Sequence, residues 1–199
     1  MVQSKPRFST FDEYLSYDDG MDKLYELFNG ELIEVPPESG QNTGIAVFLL
    51  LQFAAIVGHL RARPHGLELE VRGEPRNRYP DLTIIREEHV QQLARRNTIR
   101  LSMAPPLLVV EVVSPGELQR ALCEIPARGR DYVAKRRQYE DLGIPEYWIV
   151  DPEAKTITVL GLQAESYSQT NMFRGEEGIL SSMFPGINLT VDQVFAAGQ

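Results

Sequence analysis

The chain has 199 residues with 43% hydrophobic and 24% charged side chains, enough for one soluble domain with a substantial core. Its net charge of −8 and pI near 5.0 argue against bulk, non-specific coating of nucleic acid, although a local basic cleft stays compatible with them. A single cysteine, Cys123, excludes an intrachain disulfide, and the opening "MVQSKPRFSTFDEY" lacks the apolar centre of a signal sequence, so the expected setting is the cytoplasm.

In chain order, "STFDEYLSY" reads as a short helix, with Ser9 or Thr10 as cap and acidic residues in the first turn. "LYELFNGELIEV" is a hairpin around Asn29-Gly30, a favoured two-residue turn. "PPESG" breaks the chain. Residues from about Gln41 to Arg61 then form a long apolar helix, with Asn42 or Thr43 as cap and Pro64 as the residue that ends it. Its apolar run, Ile45 to Val57, is short for a bilayer span and is expected to be buried, with no membrane partner; a membrane-associated segment is the weaker alternative.

Three strands follow: "LELEV" from Leu67 to Val71, "YPDLTII" from Tyr79 to Ile85, and "PLLVVEVV" from Pro106 to Val113. A short helix and a loop separate the last two. "DYVAKRRQYEDLG" is a helix closed by Gly143, "EYWIVDP" a strand, and "KTITVLGLQAESYSQT" an antiparallel pair, with a short helix near "TVDQVFAA". The order predicts an α/β (α+β) domain spanning 1–199. It has an N-terminal helix and hairpin over 9–36, a core over about 41–151, and a C-terminal hairpin and short helix over 152–199.

Chemistry concentrates where acidic residues interrupt strands. In "LLVVEVVS", Leu107, Val109, Glu111 and Val113 share one face; both faces are otherwise apolar, so Glu111 needs a partner or a purpose. Asp81, behind Pro80, stands at the head of another strand, where Asp is depleted. Two carboxylates at the ends of adjacent, oppositely running strands can meet, and such a pair repels unless a cation lies between them. Hard oxygen ligands with an open coordination sphere suit Mg²⁺. Phosphodiester hydrolysis also asks for a cationic side chain. Position 113, the same-face neighbour of Glu111, is Val113, but Asp131, Lys135 and Tyr139 form one stripe on the following helix, and Lys135 is placed to supply the charge. A plain surface pair between Asp131 and Lys135 is the competing reading. The three histidines, His59, His65 and His89, form no recognised ligand motif.

These stretches, "YPDLTII", "LLVVEVVSPGE" and "DYVAKRRQYEDLGIPEYWIVDP", with "YELFNGELIEVPPES" before them and "ILSSMFPGINLTVDQVF" after, resemble the Uma-type restriction endonucleases abundant in cyanobacteria, within the PD-(D/E)XK nuclease superfamily. The resemblance runs from about residue 10 to residue 195. It implies a restriction-endonuclease-like mixed β-sheet flanked by helices, and Mg²⁺- or Mn²⁺-dependent hydrolysis of DNA. Asp81 and Glu111 would be metal ligands together with the backbone carbonyl of Val112, and Lys135 would stand in for the lysine that the superfamily places at position 113. It also implies an auxiliary acid from the early segment, Glu38 first and Glu31 next. Arg136 and Arg137 are candidate phosphate contacts. The reaction class implies DNA as partner, a homodimer and no organic cofactor. A catalytically inactive nucleic-acid or protein-binding module on the same fold is the alternative, supported by the acidic charge and by Val113.

Overall fold

The computed structural model describes residues 6–17, 20, 23–114 and 130–199, the backbone alone at 130–132 and 169. Pro115, Gly116 and Cys123 lie outside the described residues, as does the side chain of Asp131.

The chain opens with helix α1, Phe11–Leu15, which Thr10 and Glu13 close by reciprocal capping. Strands β1, Tyr25–Phe28, and β2, Glu31–Glu34, form the expected hairpin. Asn29 and Gly30 both take positive φ, +50° and +80°, as this turn demands. A side chain at Gly30 would also strike the Phe8 carbonyl, whose own N–H donates to Gly30 O at 2.8 Å. Helix α2, Gly40–Val57, starts one turn earlier than Asn42 or Thr43 would cap it. Ser39 accepts from the Asn42 N–H instead, and Gly58 ends the helix well before Pro64.

Short strands β3, Ala62–Pro64, β4, Glu68–Glu70, β5, Asn77–Arg78, and β6, Leu82–Ile84, lead to helix α3, Glu87–Gln92, and strand β7, Thr98–Ile99. Strand β8, Leu108–Val112, is fully buried. A π-helical turn, Arg130–Lys135, runs into helix α4, Arg136–Leu142, which Gly143 terminates in the left-handed conformation. Strands β9, Glu146–Asp151, β10, Thr156–Gln163, and β11, Ser166–Arg174, and helix α5, Val191–Ala196, complete the order.

The main sheet has the order β11-β10-β9-β8-β6-β3, antiparallel throughout except for the parallel β8–β9 pair. A three-stranded sheet, β5-β4-β7, lies apart from it. Alternation along β8 divides the core as the pattern requires. Leu108, Val110 and Val112 pack with Ile45, Leu49 and Phe53 of α2 and with α5, whereas Val109 and Val113 pack with Tyr139 and Tyr147 on the opposite face. This is a mixed α+β sheet flanked by helices, as expected.

Helix α2 corrects one expectation. Its apolar composition predicts burial, but it covers only one face of the sheet. Its inner stripe is sealed, while Val47, Leu51 and Ile56 on the outer stripe are exposed. By length and mean hydropathy alone, 1.5 over 18 residues, it is the one described helix apolar enough to cross a membrane; its contacts with β3, β6, β8 and α5 mark it equally as a helix of the fold.

Candidate active site

The register between β6 and β8 decides the geometry. Leu82 faces Val110, so one step further Asp81 comes opposite Glu111. Both carboxylates are nearly sealed, 6% and 2% exposed. The Val112 N–H donates to Asp81 Oδ2 at 2.6 Å, which fixes that carboxylate at the strand end. Glu111 points to the side of the sheet covered by α4, where Lys135 Nζ lies 2.6 Å from Oε2 and the Tyr139 hydroxyl donates to Oε1. The four-residue spacing read from the sequence thus brings both side chains to one carboxylate.

Helix α4 is itself fixed by a buried ladder. Gln138 donates to the Arg72 and Pro75 carbonyls at 3.1 and 2.9 Å, and Arg78 Nε donates to Gln138 Oε1 at 2.7 Å. The Arg78 charge is answered by Glu26 at 3.0 Å. These contacts hold α4, and with it the adjoining Lys135, in place independently of the ion pair with Glu111.

The early acid expected near the site is Glu38. Its Oε2 accepts from Ser114 Oγ at 3.0 Å and from Asn42 Nδ2 at 3.3 Å. Asn42 is buried, and the same amide reaches Ser114 Oγ at 2.9 Å and the Val112 carbonyl at 3.4 Å. Glu31, the second choice, does not join them. It sits at the exposed tip of the β1–β2 hairpin, 3.2 Å from Arg7, because the hairpin turns its tip towards the N-terminal segment. Arg136 is also spoken for, donating to the Tyr167 carbonyl at 2.8 Å, whereas Arg137 is exposed.

Burial dominates the electrostatics. It raises the Asp81 pKa well above the usual carboxylate value, and the charges of Glu111 and Glu38 raise it further; Lys135 and the Val112 N–H oppose them. Burial next to Glu111 likewise drives the Tyr139 phenol far up, so it remains a donor. A cleft of about 510 Å³ opens beside Asp81, lined by Lys23, Glu38, Val47 and His65 among others. His65 Nδ1 lies 3.9 Å from Asp81 Oδ1. Burial lowers the His65 pKa, Glu38 raises it and Lys135 lowers it again.

Among the described residues no three His, Cys, Asp or Glu side chains stand close enough to enclose a metal by themselves. The two sealed carboxylates and the Val112 carbonyl are nonetheless an all-oxygen set of the kind that binds a cation keeping several of its waters. The excess of negative charge at Asp81 fits such a cation.

Three residues here escaped the sequence reading: Asn42, Ser114 and His65. Ser114 follows directly from Glu111 by strand alternation, on the opposite face. Asn42 and His65 carried no local signal, since each meets the strands only through long-range folding.

The comparison with curated proteins returned no match. Among solved structures, a crystal structure described as a putative nuclease belonging to DUF820, from Anabaena variabilis, superposes with a TM-score of 0.65 at 17% identity. The match covers 96% of this chain and 99% of that one. At that identity the likeness establishes the fold, a mixed sheet flanked by helices. The family described as "Uma2: Putative restriction endonuclease" matches residues 11–192, and the chain, whose Asp81, Glu111 and Lys135 converge within that span, belongs to this family.

Proposed function

We propose that the chain is a Mg²⁺- or Mn²⁺-dependent endonuclease that hydrolyses DNA phosphodiester bonds, built as one domain and working as a homodimer. The observation that carries this reading is the meeting of Asp81, Glu111 and Lys135 from three separate segments, with Lys135 Nζ 2.6 Å from a 2% exposed Glu111. A bound divalent cation would acidify a water and draw charge off the phosphate.

The chain's own residues supply the rest. Asp81, Glu111 and the Val112 carbonyl would hold the cation, with the Val112 N–H orienting the Asp81 carboxylate. Tyr139 keeps Glu111 turned towards the site by donating to Oε1. Lys135 stabilises charge developing on the phosphate, as a preorganised donor at the reacting centre. Glu38, held by Asn42 and Ser114, supports the cleft wall beside Asp81. Arg137, exposed on α4, is available to a flanking phosphate, whereas Arg136 holds the C-terminal hairpin.

Purified protein is expected to nick or cut DNA with Mg²⁺ or Mn²⁺ and to stop when the cation is chelated. Glu111→Ala lowers the rate by about a hundredfold or more, the scale of losing one charge-stabilising element. Cleavage at the wild-type rate by Glu111→Ala would sink this function.

A second reading is favoured by the −8 net charge and by the close engagement of Glu111 with Lys135 and Tyr139: a non-catalytic nucleic-acid or protein-binding module on the same fold. That module would bind its partner equally well with Asp81, Glu111 and Lys135 all replaced, and would show no Mn²⁺ isotherm.

A further inference from the structure

Among the described residues lining the cleft, one buried polar side-chain atom has no hydrogen-bond partner, His65 Nδ1. The backbone carbonyls of Pro80 and Tyr79 lie near the ring, and neither satisfies this nitrogen with ordinary geometry. A buried ring nitrogen left unmatched costs free energy, so it calls for an explanation. The ring is placed by β3, which ends at Pro64, and by the Tyr79 ring 6.3 Å away.

What Nδ1 does face is Asp81 Oδ1, at 3.9 Å. That is too long for a hydrogen bond. It lies within twice the roughly 2.1 Å over which a small divalent cation holds a nitrogen or oxygen donor. Asp81 is oriented for such sharing, because Oδ2 is taken by the Val112 N–H at 2.6 Å and Oδ1 is the oxygen turned to the histidine. Nδ1 itself is buried, while the rest of the His65 side chain is 31% exposed at the cleft. Glu38 and Glu111 add negative charge around the gap, and Lys135 is the positive charge that opposes them.

The geometry points to a divalent-cation site in which His65 Nδ1 and Asp81 Oδ1 are paired ligands, so that the nuclease centre takes first-row transition cations such as Mn²⁺ in preference to Mg²⁺. This rests on the metal-dependent reading above and adds to it a nitrogen ligand. Mg²⁺ is hard, demands oxygen and surrenders its waters reluctantly, whereas imidazole suits Fe²⁺, Ni²⁺ and Zn²⁺ best; Mn²⁺, the weakest of that first-row series, still exchanges a water for a nitrogen donor more readily than Mg²⁺.

The test uses the full chain with Mn²⁺ and Mg²⁺ as probes, titrated calorimetrically into wild type, His65→Ala and Asp81→Ala, with pulsed electron paramagnetic resonance on the Mn²⁺ complexes. Wild type is expected to bind Mn²⁺ about tenfold or more tighter than Mg²⁺ and to show ¹⁴N coupling from imidazole. His65→Ala is expected to weaken Mn²⁺ by about tenfold, change Mg²⁺ by less than about twofold, and lose the ¹⁴N signal. Absence of ¹⁴N coupling in wild type, with Mn²⁺ affinity lost in Asp81→Ala and unchanged in His65→Ala, overturns the histidine ligand and leaves the nuclease reading standing. Absence of any Mn²⁺ or Mg²⁺ binding to wild type overturns both. The wild-type spectrum decides the matter even if a variant fails to fold.

Discussion

Asp81→Asn is expected to stabilise the metal-free protein. Asp81 is 6% exposed and shares its surroundings with Glu111 and Glu38, with Lys135 and one N–H bond in opposition. Its folded pKa is therefore raised, and the sign follows from linkage. The folded state is favoured while the carboxyl is protonated, and that advantage is lost as the pH rises through the raised value. Asparagine has the same shape, keeps an oxygen for the Val112 N–H at Oδ2's position, and turns its amide nitrogen towards the unmatched His65 Nδ1. Removing charge strain at a functional site while keeping its hydrogen bond is worth about 1–2 kcal/mol. For a chain of this length that is a rise of about 2–8 °C in the unfolding midpoint. The assay is thermal unfolding in a chelator at about pH 5 and about pH 8, where the gain appears at the higher pH and shrinks at the lower. A divalent cation at a hundred times its Kd returns about 2.7 kcal/mol to wild type and little to the variant, so the ranking reverses. An Asp81→Asn protein less stable than wild type in chelator at the higher pH, or a difference independent of pH, would refute the reasoning.

Two further outcomes follow from the same contacts. Lys135→Met is expected to cut the cleavage rate by about 10²–10³, as loss of one preorganised charge does, while cation affinity measured by calorimetry rises because a competing positive charge has gone; lower cation affinity would count against Lys135 as the opposing charge. Glu146→Ala tests the scaffold. This 1% exposed carboxylate accepts from Trp148 Nε1, Ser181 Oγ and the Ser182 and Met183 N–H groups, so its loss is expected to cost about 3 kcal/mol and lower the midpoint by about 6–12 °C, read by thermal unfolding.

The parts of the site legible in the sequence are those governed by local periodicity. Strand alternation placed Glu111 and Val113 together, and helix spacing placed Lys135 with Tyr139. Both patterns act over a few residues, and tertiary packing preserved them. The early segment was less legible. Glu31 and Glu38 are alike as letters, and what separates them is where the hairpin and α2 dock, which only the folded chain decides. Ser39 rather than Asn42 caps α2, and this frees Asn42 to reach Glu38, Ser114 and the Val112 carbonyl. The π-helical turn before α4 has no periodic signature of its own, and α2 looked wholly buried because its composition is apolar on every side.

Position 113 shows why the lysine comes from a helix. Val113 is 5% exposed and packs under Tyr139 and Tyr147, and its N–H is bound to the Val150 carbonyl at 2.8 Å. A lysine there would carry its stem and charge into an apolar cluster fixed on both sides, at the desolvation cost of an ion whose partner must then be found inside the core. Lys135 avoids this. Its stem descends from the end of the π-helical turn that leads into α4, its side chain keeps 19% exposure, and its amine meets Glu111 at the rim of the same cluster. Tyr139, one turn on, fills the space beneath and binds the other carboxylate oxygen. The valine and the displaced lysine are therefore one arrangement: moving the charge to the helix is what allows the strand to stay apolar on both faces and still present Glu111.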